Sequence, residues 1–115
     1  MGYCTYYKLK WSVENSKTTW DEISDEIKLR QDAGSDFMYG VDENGSSTDQ
    51  AKWYDHEKEV SQFSKIYPDV LFELSGEGEE SGDIWKKYFL NGKMQLCQAI
   101  TTFPPFDKSK LKIVR

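Results

Sequence analysis

The chain has 115 residues, 15% of them aromatic, and a formal net charge of −5 at pH 7. This length suits a single domain with one hydrophobic core and is too short for two domains. The composition argues against a membrane span, because no apolar run approaches about 18 residues. It also argues against a zinc site or a disulfide framework, because the two cysteines have no CxxC spacing. The N-terminus has no signal-peptide pattern, so we expect a cytoplasmic protein with reduced thiols.

Charge is distributed unevenly along the chain. Residues 1–20 carry three bases and one acid, residues 21–83 carry 18 acids and five bases, and residues 84–115 carry seven bases and one acid. An acidic middle between basic ends predicts a folded protein whose acidic and basic surfaces lie in different places. The net negative charge argues against general nucleic-acid binding by the whole molecule.

The first half of the chain predicts two strands and two helices. Apolar and polar residues alternate over residues 3–13, which predicts a strand with its odd-numbered side chains inward. A capping box that begins at Thr19, followed by apolar residues at helical spacing, predicts the first helix. Residues 36–42 alternate again and predict a second strand. Asp55 is the expected N-cap of a second helix, which Pro68 ends.

The second half of the chain predicts three more strands. Residues 70–75 alternate, and residues 84–90 and 93–102 flank the pair Asn91-Gly92, a strong signal for a β-hairpin. The resulting order of elements is strand, helix, strand, helix and then three strands, which is typical of an α+β two-layer sandwich. We therefore expect a mostly antiparallel sheet of about five strands with two helices on one face, ferredoxin-like in outline.

One compact domain is predicted to contain all of these elements. It spans residues 1–107, and residues 108–115 form a basic C-terminal tail. No internal repeat and no linker composition divides the chain further.

No motif predicts an enzyme. His56 is the single histidine of the chain, and it falls in the first turn of a predicted helix, where capping or surface roles are common. The acidic stretch at residues 77–83 lacks the EF-hand pattern and its flanking helices, and the nearby glycines form neither GxGxxG nor a P-loop. We expect no cofactor, no metal and no catalysis, with a metal-dependent hydrolase built on His56 and the acidic stretch as the enzymatic alternative.

A large part of the second half resembles a group of small uncharacterised proteins of phages and their bacterial hosts. The similarity covers roughly residues 50–107 and is carried by WYDHE at 53–57, YPDVLF at 67–72, GEGEESGDIWKKYF at 76–89 and FPPFD at 103–107. The resemblance implies a bacterial host cell as the place of action and supplies no catalytic residue. Because small phage proteins often bind and block host machinery, it favours an interaction role by analogy.

The acidic stretch and the aromatic residues near it suggest a docking surface. Trp and Tyr dominate interface hot spots, whereas charges around them steer the encounter with a partner of opposite charge. The sequence therefore predicts that the protein binds and blocks a basic site on a host protein. The candidate residues of this surface are Glu77, Glu79, Glu80, Asp83, Trp85, Trp53 and Tyr54.

The alternative function is binding of single-stranded nucleic acid by an open sheet face. Lys8 and Lys10 share one strand face with Tyr6, and one residue of the Lys86 and Lys87 pair is expected to share that exposure. Aromatic rings stack on bases and lysines pair with phosphates in such binders. An exposed aromatic sheet face is also compatible with a homodimer.

Overall fold

The computed structural model describes residues 3–34, 36–47 and 49–114 and has an α+β fold. Two α-helices, a four-stranded antiparallel sheet and a short 3-10 helix at Lys108–Lys110 make up the regular structure of these residues. The strands are β1 (Thr5–Ser12), β2 (Leu71–Gly78), β3 (Ile84–Leu90) and β4 (Lys93–Gln98), and the α-helices are α1 (Trp20–Asp32) and α2 (His56–Ser64).

The sheet is a meander in which each strand pairs with the next one along the chain. The order is β1-β2-β3-β4, and every neighbouring pair is antiparallel. Thr5 lies opposite Gly78 and Ser12 opposite Leu71, so β1 and β2 match over their full length. The predicted hairpin turn between β3 and β4 is confirmed: Asn91 and Gly92 have φ values of 48° and 80°, as a type I′ turn requires.

The core lies between the helices and one face of the sheet. Buried and exposed residues alternate strictly along β1, with the odd-numbered side chains inward as predicted. The Thr19 side chain accepts a hydrogen bond from the Glu22 backbone N–H and starts α1, whereas α2 ends at Ser64, before Pro68. The fully buried large side chains are Trp53, Phe63, Phe72, Phe89, Leu9, Ile23, Ile27, Met38, Leu74, Val41, Val60 and Val70.

The prediction of a strand at residues 36–42 is wrong. The sheet therefore has four strands and not the expected five. The backbone turns here, Met38 has a φ of 48°, and Val41 makes only an isolated bridge with Ser47. Gln31 of α1 explains the difference, because its Nε2 lies 2.9 to 3.2 Å from the carbonyl oxygens of Phe37, Met38 and Val41. These carbonyl groups therefore bond to a side chain and not to a neighbouring strand.

Both helices lie between β1 and β2 in the chain. The order of elements is β-α-α-β-β-β, whereas ferredoxin-like folds have the order β-α-β-β-α-β. The ferredoxin-like outline is therefore not confirmed. Neither helix in the described part of the chain has the length and apolar character that would let it cross a membrane.

The last part of the chain extends away from the sheet. Pairing with β3 stops at Ala99, whose N–H donates to the Ile84 carbonyl oxygen, and every residue from 99 to 114 is exposed. We call residues 99–114 the arm; the predicted domain boundary at residue 107 falls within it. The radius of gyration is 18.2 Å, whereas a compact domain of this length has about 13 Å.

Candidate functional site

The connection between β2 and β3 gathers four carboxylates at one end of the sheet. We call residues 77–83 the acidic loop. Glu77 points outward from β2, Glu79 and Glu80 are exposed in the turn, and Asp83 is half-buried beside it. The Gly78 N–H donates to the Asp83 carbonyl oxygen at 2.9 Å and closes the loop. Among the residues that the structure describes, none of these four carboxylates forms an ion pair.

Tyr3 holds the acidic loop against Tyr54. Its hydroxyl donates to Asp83 Oδ2 at 2.6 Å and accepts from the Glu80 N–H at 2.9 Å. Its own N–H donates to the Tyr54 hydroxyl at 3.1 Å, and Tyr54 is 65% exposed. The hydrogen bond to Asp83 raises the pKa of the Tyr3 hydroxyl. Tyr3 therefore bonds both to the acidic loop and to the exposed Tyr54.

Further tyrosines lie at the same end of the sheet. Tyr6 is exposed on the outer face directly opposite Glu77. Tyr39 is also exposed, and its hydroxyl donates to the Lys52 carbonyl oxygen at 2.6 Å. Tyrosine combines a large apolar ring with a hydroxyl, which suits a surface that alternates between free and bound states. We call this region the acidic end and define it as the acidic loop with Tyr3 and Tyr54.

Two of the predicted surface anchors are in the core. Trp53 is fully buried, where its indole N–H donates to Glu59 and its ring packs edge-on against Tyr7. Trp85 is also buried, because the alternation of β3 turns it toward the helices. The indole of Trp85 fills the space over Gly76, where an added Cβ would lie 2.1 Å from the ring. Neither tryptophan is available to a partner, and Tyr54 is the predicted anchor that is exposed.

The acids of α1 do not join the acidic end. Trp20, at the start of α1, stacks on Trp11 with ring centroids 4.9 Å apart. Trp11 lies near the end of β1 that is opposite the acidic loop, and eight residues of strand span about 25 Å. The exposed carboxylates at the start of α1 therefore form a separate acidic region at the other end of the sheet.

The outer face of the sheet collects most of the predicted nucleic-acid residues. Tyr6, Lys8 and Lys10 point outward from β1, and Lys86 points outward from β3, two strands away from Lys8. No helix covers this face in the described part of the chain. Glu73 on β2 lies between the two strands and pairs with Lys86 at 3.7 Å, so this face is only partly basic.

Lys87 points to the helix side, so it does not belong to the open face. Its Nζ lies 2.9 Å from Glu57 Oε2, 2.6 Å from His56 Nε2 and 4.3 Å from the centre of the Trp85 ring. His56 Nδ1 lies 2.7 Å from the Trp53 carbonyl oxygen, which can only accept. Nδ1 therefore carries the proton, and Nε2 accepts from the Lys87 ammonium group.

The environment of His56 favours its neutral form. Burial lowers its pKa from the usual 6.5, and the nearby Lys87 charge acts in the same direction. The hydrogen bond from Lys87 lowers the pKa of Glu57. Both ring nitrogens of His56 therefore have partners within the protein.

Comparisons with family models, curated proteins and solved structures found no match to this chain. In the described ranges, no group of three or more His, Cys, Asp and Glu side chains is placed to hold a metal ion. Cys4 and Cys97 are free thiols. The function is therefore inferred from the surface of this chain.

Proposed function

We propose that this protein is a non-enzymatic binding protein of the bacterial cytoplasm, and that its acidic end occupies and blocks a basic site on a host protein. The observation that carries the proposal is the grouping of four carboxylates, none of them ion-paired among the described residues, in a loop that Tyr3 links to the exposed Tyr54. Charges that are not neutralised locally act at longer range and attract a partner of opposite sign.

The acidic end is held in one shape before any partner arrives. Tyr3 bonds to both Asp83 and Glu80, and the backbone bond between Gly78 and Asp83 closes the loop. A surface that is already ordered loses less conformational entropy on binding. In this proposal the carboxylates speed the encounter, and the Tyr54 ring supplies apolar contact area once the partner is in place.

Neutralising the acidic loop tests this function. The variant changes Glu77, Glu79 and Glu80 to Gln and Asp83 to Asn, which preserves size and an acceptor for Tyr3. We expect wild type to capture a host protein with a basic site from a bacterial lysate at low salt, and the variant to lose it. With the captured protein purified, the association rate at low salt should fall by about tenfold or more, and its salt dependence should flatten.

A matched control separates local from overall charge. It changes four exposed acids at the other end of the sheet to their amides, namely Glu14, Asp21, Glu22 and Asp25. This control variant changes the net charge by the same amount as the loop variant. It should still bind the captured protein, with little change in the association rate. Equal association rates and equal salt dependence in the loop variant and wild type would contradict the proposed role of the acidic end.

A second candidate function is supported by the open sheet face. Tyr6, Lys8, Lys10 and Lys86 share this face, and stacking with phosphate pairing on such a face binds single strands. Glu73 and Glu77 lie on the strand between the lysines, which weakens the attraction for a polyanion. The two candidates require partners of opposite charge, so they are readily distinguished.

A further inference from the structure

The two edges of the sheet differ in how they are covered. On the β1 edge, Thr5 and Ala51 exchange two backbone hydrogen bonds of 2.9 Å, and the Leu9 N–H donates to the Gly45 carbonyl oxygen at 2.8 Å. The β4 edge has no further strand beside it in the described part of the chain. Its sequence, KMQLCQ, contains one charged residue and no proline. An edge of this kind is open to pairing with another strand.

Apolar side chains on β4 are also uncovered on the helix side. Met94 lies opposite Phe89 and Leu96 lies opposite Lys87, so both continue the inward-facing rows of β3. Phe89 and Lys87 are buried, but Met94 and Leu96 are 42% and 52% exposed. The helix layer therefore covers β4 only in part, and these two apolar side chains stay accessible on the helix side of the sheet.

The arm carries several large apolar side chains that are highly exposed. Six of its large apolar side chains are 65% to 94% exposed: Ile100, Phe103, Phe106, Leu111, Ile113 and Val114. The whole chain exposes 8274 Å², whereas a compact monomer of this mass exposes about 6,500 Å². The excess is larger than the roughly 800 Å² that each partner buries in a standard interface.

We propose that two copies of this chain associate through β4 and that each arm lies on the other copy. Antiparallel pairing of the two β4 strands about a two-fold axis satisfies both open edges and covers Met94 and Leu96. With the two-fold axis at Leu96, such a pair also places Gln98, which precedes the arm, opposite Met94 of the second copy. The proposal does not depend on the acidic end, which lies in the β2–β3 connection.

The surface that the arm would meet is largely apolar, as the arm is. A cavity of about 270 Å³ lies at the β3–β4 hairpin next to Lys93, within reach of Ile100 and Phe103 of the second copy. The residues that line the cavity are Leu71, Tyr88, Leu90, Lys93, Met94 and Gln95.

Light scattering during size-exclusion chromatography tests this arrangement. Wild type should have twice the chain mass of 13.4 kDa. Leu96→Lys in β4 and Phe103→Asp in the arm should each raise the dimer dissociation constant about 30-fold or more, because each introduces a charge into the apolar contact. Both side chains are exposed in the single chain, so circular dichroism should show a folded protein in each case.

Leu29→Lys is the matched control, because Leu29 is an exposed leucine of α1 far from β4 in the fold. It should remain a dimer. A wild-type protein that has the single-chain mass at every soluble concentration would overturn the proposal. A dimer that persists unchanged in both Leu96→Lys and Phe103→Asp would overturn it as well.

Discussion

Lys87 shows how a charged residue is accommodated on the inner face of the sheet. The alternation of β3 turns it toward the core, where it is 8% exposed. A buried charge is tolerated when it is paired and hydrogen-bonded. Glu57, His56 and the Trp85 ring supply these contacts. They come from α2 and from the neighbouring indole, so this group links the helix layer to the sheet.

The free energy of unfolding should depend on pH through His56. Its pKa is lower in the folded protein than the usual 6.5, so below about pH 6.5 the unfolded chain binds more protons than the folded one. Stability should therefore be constant above that pH and fall as the pH drops from 6.5 toward the lowered pKa. Urea unfolding at about pH 7.5 and about pH 5.5 measures this loss.

The variant His56→Gln is the control for this pH dependence. Gln can accept from Lys87 but does not titrate, and the chain has no other histidine. The fall between these two pH values should disappear in the variant. Glu57 affects stability at lower pH, because its pKa lies below 4.5. An equal fall in wild type and variant would show that His56 is not the group responsible.

At the scale of elements, the loop beside β1 depends on close backbone approach. Gly45 accepts a hydrogen bond from the Leu9 N–H at 2.8 Å and has a φ of +78°. An added Cβ would lie 1.9 Å from the Leu9 carbonyl oxygen. Only glycine therefore allows this loop to cover the edge of β1.

A pair of glycine substitutions separates the close approach from the backbone angle. Gly34 has a φ of +83°, but an added Cβ there meets no atom within 4 Å. Gly34→Ala should cost about 1–2 kcal/mol of stability, the usual penalty for a left-handed residue. Gly45→Ala should cost about 2 kcal/mol more, because the loop must move away from β1. Chemical denaturation of both variants measures the difference, and equal losses would contradict the steric argument.

At the scale of the whole molecule, three charged regions bear on the choice of partner. The acidic end lies at one end of the sheet, the acids that begin α1 lie at the other, and the open face between them carries Lys8, Lys10 and Lys86. The net charge of −5 repels a polyanion except close to that open face. This arrangement favours a basic partner at the acidic end.

A single-stranded oligonucleotide therefore should not bind measurably, even at low salt. The measurement is fluorescence anisotropy of a labelled oligonucleotide titrated with the protein. If wild type does bind the oligonucleotide, and the double variant Lys8→Glu, Lys10→Glu does not, the result would support the second candidate function instead. Lys52→Glu with Lys58→Glu is the control, because these exposed lysines lie outside the sheet and the charge change is the same.

Local sequence patterns were sufficient for the class of the fold and for most of its elements. The alternation of β1, the Thr19 cap of α1 and the Asn91-Gly92 turn were all predicted and are present. Each depends on neighbouring residues, because strand period, helix capping and turn angles are local properties of the backbone. The same alternation correctly placed Tyr6, Lys8 and Lys10 on the outer face.

Contacts between residues far apart in the chain decide the rest. Tyr3 and Asp83 are 80 positions apart, and their hydrogen bond joins the acidic loop to Tyr54. Trp53 and Trp85 looked like surface anchors, but a tryptophan is buried or exposed according to which elements pack over it. The apolar side chains of the arm are likewise exposed in the described structure, which their sequence does not predict, because apolar side chains are buried only where packing provides a partner.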